Sequence, residues 1–382
     1  MAKIVLYSYL GLSVFIWFSS LGYTLLLRFT VFFKPKSVQS TPGWPNIAVV
    51  IPVLNEEDLA IRKLCDIQDS NYPKNKMKIY FVDGGSVDKT LEVLQNENFQ
   101  EENIKLICVK DICGKTDQVM YMLHNIEEEI IIFTDVDSIL DPNCISELVK
   151  SLMNESQTSI VGAAVRPKSN LLEERIHWYF LNHIWWLEGE VFSCSGLSGV
   201  CYAVSRKNLL TLDKNAKAED IHLGLEAGSR GFPVKLVAEA KAVEVRVPQT
   251  IAEFYRFRRR RGSSYLNELL RFNHKPYPPI RWHCARLIRI FQFLVVPWVT
   301  ICCITLGGLL LMTSYWPLAV LIPSVFIVTA ILQIYFFFNR TKNNPGIWRL
   351  LFAMCRYVAL ILITLISLKM FPSRMGPVGG KI

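Results

Sequence analysis

Unbroken apolar runs that end abruptly in polar residues recur along the middle of the chain. "IAVVIPVLNEE" (47–57) reads as a buried strand that breaks at Pro52 into a polar loop. A helix-like segment follows. Then "KIYFVDGGSVDKT" (78–90) reads as a second strand, ending in Asp83 and two glycines, with Ser86 and Asp88 placed to cap the next helix. "NIKLICVK" (103–110) predicts a third strand, and "GKTDQVMYMLHNI" (114–126) has helical apolar spacing. "IIIFTDVDSIL" (130–140) runs an apolar stretch straight into Asp135 and Asp137. Continuous runs of this kind suit strands covered on both faces. Strands alternating with helices predict an α/β domain with a mainly parallel sheet and flanking helices.

The polar breaks change that picture, because several strand ends carry side chains with chemistry: Asn55 and Glu56, then Asp83, then Asp135 and Asp137. In open α/β sheets, ligands sit outside the carboxyl ends of the strands. An Asp-Val-Asp placed there suits a divalent cation, because hard cations prefer carboxylate oxygens. The competing reading makes one Asp a helix cap and leaves the other solvated. Gly84 and Gly85 suit a tight turn close to a ligand. Neither G-x-G-x-x-G nor a P-loop is present, which argues against a dinucleotide fold and a P-loop ATPase.

The two ends follow a different pattern. Residues 4–33 carry no charge until Arg28. About 20 apolar residues cross a bilayer, so this segment can span one, and it lacks the cleavage pattern of a signal peptide. Further spans are expected near 290–313, 316–338 and 348–370. The predicted layout is a transmembrane helix at 1–33, a Pro-containing linker at 34–45 and a globular block at 46–245. Amphipathic interface helices at 246–285, three transmembrane helices at 286–371 and a tail at 372–382 complete it. The chain of 382 residues is 51% hydrophobic, with mean hydropathy +0.26, and the excess sits at the ends. Lys34, Lys36, Arg281, Arg286 and Arg289 flank the spans, so the positive-inside rule puts the globular block in the cytoplasm of an integral plasma (inner) membrane protein. Lys369, Arg374 and Lys381 in the tail run against that rule. Arg28 and Arg356 lie in or near spans, where arginines snorkel, pair or face a polar path.

The net charge of +9 peaks in "RFRRRR" (256–261), just before a span. That position points to anionic lipid or a phosphate-bearing ligand rather than nucleic acid. The ten cysteines include no C-x-x-C pair, and the six histidines show no metal-ligand spacing. The scattered cysteines fit a reducing cytoplasm better than a disulfide framework, and both observations argue against a zinc site.

"VVIPVLNEE", "FVDGGSVDKT", "GKTDQVMYML" and "IIIFTDVDS" occur in an order that resembles glycosyltransferase family two, with its GT-A fold, over about residues 46–265. The apolar ends narrow the resemblance to the membrane-embedded β-glycosyltransferases, such as cellulose, hyaluronan and chitin-oligosaccharide synthases and ceramide glucosyltransferase. The resemblance implies a nucleotide-sugar donor, usually a UDP-sugar. It implies Mg2+ or Mn2+ to neutralise the departing diphosphate. It implies inverting transfer to a membrane-associated glycan, giving a β-linked product. Transfer of one sugar to a lipid acceptor is the alternative. An inactive nucleotide-binding membrane protein is a second one, against which the intact Asp83, Asp135, Asp137 and Asp220 stand. A homo-oligomer is left open.

Residue by residue, the resemblance gives Asp83 a nucleoside contact and makes Asp137 a direct metal ligand. Asp135 touches the nucleotide or supports the metal, and Lys115 meets phosphate. Pro52, Asn55 and Glu56 flank the base. The family often has a second acid where this chain has Gly84. "AEDIHLGLEAGSRG" (218–231) supplies Glu219, on the acceptor side, and Asp220 as general base; a helix cap is the bland reading of Asp220, and His222 is a rival base. "CSGLSGVCYAVSRKNLL" (194–210) resembles the acceptor-site segment, where Gly196 and Gly199 admit a sugar. Trp185 and Trp186 can stack on sugar rings, and Trp186 reads equally as core. The family's Gln-x-x-Arg-Trp is altered in "EFYRFRRRRGSSYL" (253–266): alignment on Gly262 puts Tyr255, Arg258 and Arg259 at its three places. Arg258 then grips diphosphate, and Arg259 replaces the Trp that meets the acceptor. A basic helix face on anionic lipid is the competing reading.

Overall fold

The computed structural model describes residues 1–34, 43–95, 102–109, 114–154, 157–208, 210–272, 278–339 and 346–370. Most of the predicted linker, with Lys36, and the tail at 372–382 lie outside the described residues.

The N-terminal apolar segment is helical throughout: α1 (Ala2–Trp17) and α2 (Tyr23–Phe32) are joined by a π-helical turn at Phe18–Gly22. The four apolar runs form strands β1 (Ile47–Val53), β2 (Met77–Asp83), β3 (Ile104–Cys108) and β4 (Ile130–Thr134). Every residue of β1 and β4 is buried. These strands pair in parallel in the order β3-β2-β1-β4. The connections run through α3 (Ala60–Gln68), α4 (Thr90–Gln95) and α5 (Lys115–Asn125). With β1 flanked by β2 and β4, the loops after these three strands open on one edge of the sheet.

Past β4 the sheet is mixed. It continues as β7 (Cys201–Ser205), β6 (Ile160–Pro167), β8 (Val234–Glu244) and β5 (Ser138–Leu140). β7 runs antiparallel to β4 and β6, β5 antiparallel to β8, and β6 parallel to β8. Helices α6 (Cys144–Asn154), α7 (Leu172–Val191) and α8 (Glu219–Ser229) complete this half. One apolar core joins both halves, and within it Phe133 of β4 stacks on Tyr202 of β7 with ring centroids 5.3 Å apart.

The amphipathic segment is α9 (Ile251–Arg271), which starts at Thr250: its side chain accepts from the Glu253 N–H, and Glu253 accepts from the Gln249 N–H at 2.8 Å. α10 (Ile280–Leu294) and α11 (Val296–Leu310) follow, bent by 45° at a break beside Pro297. α12 (Trp316–Asn339) and α13 (Ile347–Met370) end the described chain. Four spans were expected. Among the described residues, Ala2–Phe32 and Trp348–Leu368 are long and apolar enough to cross a membrane, and the bent α10–α11 pair makes a third if it counts as one span. The predicted start at residue 290 falls inside α10, so the basic residues Arg281, Arg286 and Arg289 share a helix with the beginning of that apolar stretch.

Candidate active site

The site begins with the strand ends. Gln118 of α5 donates to the Val53 carbonyl at 2.9 Å and to the Val82 carbonyl at 2.7 Å, tying the ends of β1 and β2 together. A Cβ on Gly84 would lie 2.9 Å from Gln118 Nε2, so a side chain there would have to displace the Gln118 amide. Asn55 sits at φ 56°, a left-handed conformation that Asn tolerates. Its backbone N–H donates to Ser86 Oγ at 2.8 Å, and its side chain accepts from the Val87 N–H at 2.9 Å. Asn55 and Glu56 therefore stand at the mouth of β1, whereas Pro52 does not break the strand as expected: it is buried within β1 and pairs with Val82 of β2, and the polar loop begins only after Val53. Asp83 is placed differently from expectation. It is 2% exposed, and its carboxylate accepts from the Gly85 N–H at 2.9 Å and the Ser86 N–H at 3.0 Å. It shapes the loop rather than presenting a free carboxylate to a nucleoside.

Beside these loops, four expected residues converge. Lys115 Nζ bridges Asp135 Oδ1 and Glu219 Oε1, each at 2.6 Å. Gly199 leaves the space they need: a Cβ there would lie 2.9 Å from Lys115 Nζ and 3.2 Å from Asp220 Oδ2. Burial pulls the Lys115 ammonium down, but Asp135 and then Glu219 outweigh it and hold the group well above its ordinary range. Asp220 stands at the start of α8 but is not its cap. The cap position is Ala218, and Asp220 Oδ1 accepts only from the next N–H, that of Ile221, at 2.8 Å. Burial, and then the neighbouring Glu219, push the Asp220 carboxyl up to about 7 against the pull of Lys115. A carboxyl at that value exchanges a proton near neutral pH.

The Asp135–Asp137 turn is braced from behind. The Asp135 N–H donates to the Val200 carbonyl at 3.1 Å, and Ser138 Oγ donates to the Asp135 carbonyl at 2.8 Å. Lys63, fully buried on α3, donates to Ser138 Oγ at 2.9 Å and pairs with Asp66 at 3.0 Å. Asp137 is pushed up to about 6 by burial and then by Asp135, with Arg246 opposing. Two mutually repelling carboxylates of this kind fit a divalent cation. Among the described residues no three His, Cys, Asp or Glu side chains converge on one point. That set suits a cation that takes one or two protein carboxylates and completes its shell with phosphate and water.

Several expected roles need correction. Arg258 does not face this site: it is 5% exposed, pairs with the fully buried Glu174 and lies over the Trp178, Phe254 and Phe257 rings. Helical phase turns it toward α7, so it cannot grip a diphosphate here. Arg261, one turn on, pairs instead with Glu244 at the end of β8. Arg259 is half-buried on α9. Trp185 is buried, and a Cβ on Gly196 would touch its ring at 3.0 Å, so it fills core rather than stacking on sugar. Trp186 packs in the cluster with Tyr23 and Leu27 of α2. His222 bonds Glu268 at 3.1 Å and accepts from the Asp213 N–H, which makes it a link between α8 and α9. Arg246, Arg261, Gln118 and Lys63 were missed. Only Arg261 had a sequence signal, the arginine run itself.

The family described as "Glycosyltransferase like family 2" matches residues 45–264. A probable glycosyltransferase, YdaM, of Bacillus subtilis (strain 168) is 24% identical over 246 residues, covering 61% of this chain and 58% of that protein. An N-acetylglucosaminyltransferase of Rhizobium sp. (strain N33) is 22% identical over 248 residues, covering 59% and 54%. The chain thus spans a little over half the length of these relatives. The mannosyltransferase PcManGT from Pyrobaculum calidifontis, solved in complex with GDP-Man and Mn2+, superposes with a TM-score of 0.72 at 17% identity, over 98% of this chain and 100% of that one. At that identity the likeness is one of fold, and the fold is the GT-A arrangement with its mainly parallel sheet and flanking helices. With the family match extending over more than half of its residues, the chain belongs to glycosyltransferase-like family 2.

Proposed function

We propose that this protein transfers a sugar from a nucleotide-sugar donor to a membrane-associated glycan, with inversion at the anomeric carbon. The observation that carries the reading is the Lys115 bridge between Asp135 and Glu219, with Asp220 beside it at a raised pKa. Asp220 takes the proton from the acceptor hydroxyl. The oxygen attacks the anomeric carbon, and the nucleoside diphosphate leaves from the opposite face. One base suffices for a single displacement, and an α-linked donor gives a β-linked product. Asp137, supported by Asp135, would hold Mg2+ or Mn2+, which would supply charge neutralisation at the departing diphosphate. The GDP-Man and Mn2+ bound by PcManGT support a nucleoside diphosphate donor and a metal; a UDP-sugar follows from the family resemblance. The basic residues beside the apolar helices support a catalytic domain on the cytoplasmic side of the plasma membrane.

A second reading, transfer of a single sugar to a lipid, is favoured by one observation. Trp185, expected to stack on the acceptor sugar, is buried, and by the alignment on Gly262 Arg259 replaces the family's acceptor-side Trp. Labelled transfer from a panel of UDP- and GDP-sugars into membranes, with product sizing, tests both. A ladder of products supports the glycan reading, and one organic-soluble product supports the lipid reading. No transfer from any donor overturns both. Asp137→Asn is expected to abolish turnover, and normal turnover of the native protein after exhaustive chelation would exclude the metal role.

A further inference from the structure

Lys115, Arg246, Arg258 and Arg261 each have an anionic partner, but the partners differ in how they are held. Lys115 is committed between Asp135 and Glu219, which position it for the cluster around Asp220. Arg258 is buried, and Arg261 is anchored on the buried Glu244. Arg246, on the segment between β8 and α9, is different. Its side chain is 44% exposed, and its Nε lies 3.9 Å from Asp137 Oδ2. The two ends of its fork take both oxygens of Glu56, with Nη1 to Oε1 at 2.6 Å. Glu56 belongs to the loop after β1, across the mouth of the site, and the loop is held there by its own N–H donating to Thr90 Oγ1 at 2.7 Å. A guanidinium fork takes the two oxygens of a phosphate in the same parallel geometry.

We infer that Arg246 grips the donor's diphosphate, and that Glu56 occupies Arg246 as an internal anion until the donor arrives. The inference rests on the reading that the site takes a nucleotide sugar. A diphosphate beside Asp137 carries more charge than one carboxylate and displaces Glu56 from the fork. Displacement unties the Asn55–Glu56 loop from the β8–α9 segment, so donor binding and loop release are one event. The bound anion lowers the fraction of protein ready for donor, and apparent affinity falls in proportion.

The test is equilibrium binding of GDP and of UDP, each with Mn2+, to the full chain in detergent. Arg246→Ala is expected to weaken binding of whichever nucleotide the native protein takes by about 10- to 100-fold, the loss of a charge-assisted pair. Arg246→Lys keeps the charge without the fork; it should bind about tenfold more weakly than the native protein and serves if the alanine variant does not fold. Glu56→Gln is expected to tighten binding about threefold or more. Native affinity in a folded Arg246→Ala or Arg246→Lys protein overturns the role of Arg246 and leaves the proposed function standing. Weaker binding in Glu56→Gln makes Glu56 a donor ligand and overturns the latch. A native protein that binds neither nucleotide at millimolar concentration overturns both the proposed function and this inference.

Discussion

At the scale of single residues, protonation and helical phase decide what each side chain can do. Asp220 is pushed up to about 7, so it keeps its proton below that pH and is lost as a base there. Transfer is therefore expected to rise with pH through about 7, and not through the ordinary carboxylate range. Asp220→Asn should lower turnover by about 100-fold or more, remove that limb and leave nucleotide binding near native. Rate profiles between about pH 5.5 and 8, beside nucleotide titrations, check this; a pH-independent native rate would exclude Asp220 as the base. Arg258→Ala should act on stability instead. It leaves the buried Glu174 carboxylate unpaired, a loss of about 3–5 kcal/mol, while the protein that still folds binds nucleotide normally. Thermal melts of Arg258→Ala and of Glu174→Gln/Arg258→Met measure it, the second recovering most of the loss. Asp220 was singled out by the resemblance of Glu219-Asp220 to the family's Glu-Asp motif, while the local pattern alone suggested a helix cap, a place Ala218 takes. It misassigned Arg258 because four successive arginines carry no phase signal, and only packing shows that residue 258 faces α7 while residue 261 faces β8. The paired tryptophans at 185 and 186 hid their phase in the same way.

At the scale of elements, legibility followed burial. β1, β2 and β4 were readable because strands covered on both faces are written as nearly unbroken apolar runs, whereas β3, at the edge of the sheet, was read from a short run although Lys105 and Cys108 are exposed. β5 has only three residues, and β8 mixes exposed with buried positions around a bulge opposite Ala163 and Ala164, so neither makes a clean run. The Asp135–Asp137 turn was found as a motif, but its support was not. Lys63 reaches Ser138 across 75 positions of sequence, and no local pattern announces that contact. It is a fully buried cation whose bonds fix the turn that carries both carboxylates. Lys63→Met should weaken Mn2+ affinity by about 10- to 100-fold, as losses behind a metal ligand do. Mn2+ titration followed by paramagnetic broadening, with a melt to confirm folding, reads it out. Native affinity in a folded Lys63→Met protein would mean that the turn holds its shape without the brace.

At the scale of the whole molecule, the apolar terminal helices and the α/β domain meet in a buried polar cluster rather than at an apolar seam alone. Glu188 of α7 is fully buried and takes the Tyr23 hydroxyl of α2 at 2.9 Å, the Ser195 N–H at 2.9 Å and Arg289 Nη2 of α10 at 2.6 Å. Arg289 Nε donates to Ser195 Oγ at 2.8 Å, and Tyr265 of α9 donates to the Ser195 carbonyl at 2.9 Å. Next to Arg289, Gln292 donates to the Ser19 carbonyl at 2.7 Å, within the π-turn between α1 and α2, where the usual backbone ladder is interrupted. Three helices thus bond Ser195 directly, through Glu188, Tyr265 and Arg289, and α2 joins them through Glu188; Ser195 lies four residues before Gly199 and the Lys115–Asp220 cluster. The donor loops after β1, β2 and β4 take no part in this cluster. Arg289→Met is therefore expected to separate the two halves of the reaction. It strands the Glu188 carboxylate at a loss of about 3–5 kcal/mol and loosens the segment that carries Gly199, so transfer falls while nucleotide affinity stays native. Glu188→Gln/Arg289→Met should recover much of the melting temperature, because no buried charge is then left unpaired. Parallel measurements of melting, nucleotide binding and transfer decide the matter. If Arg289→Met weakened nucleotide binding as much as transfer, the cluster would be holding the whole domain together rather than the acceptor side alone.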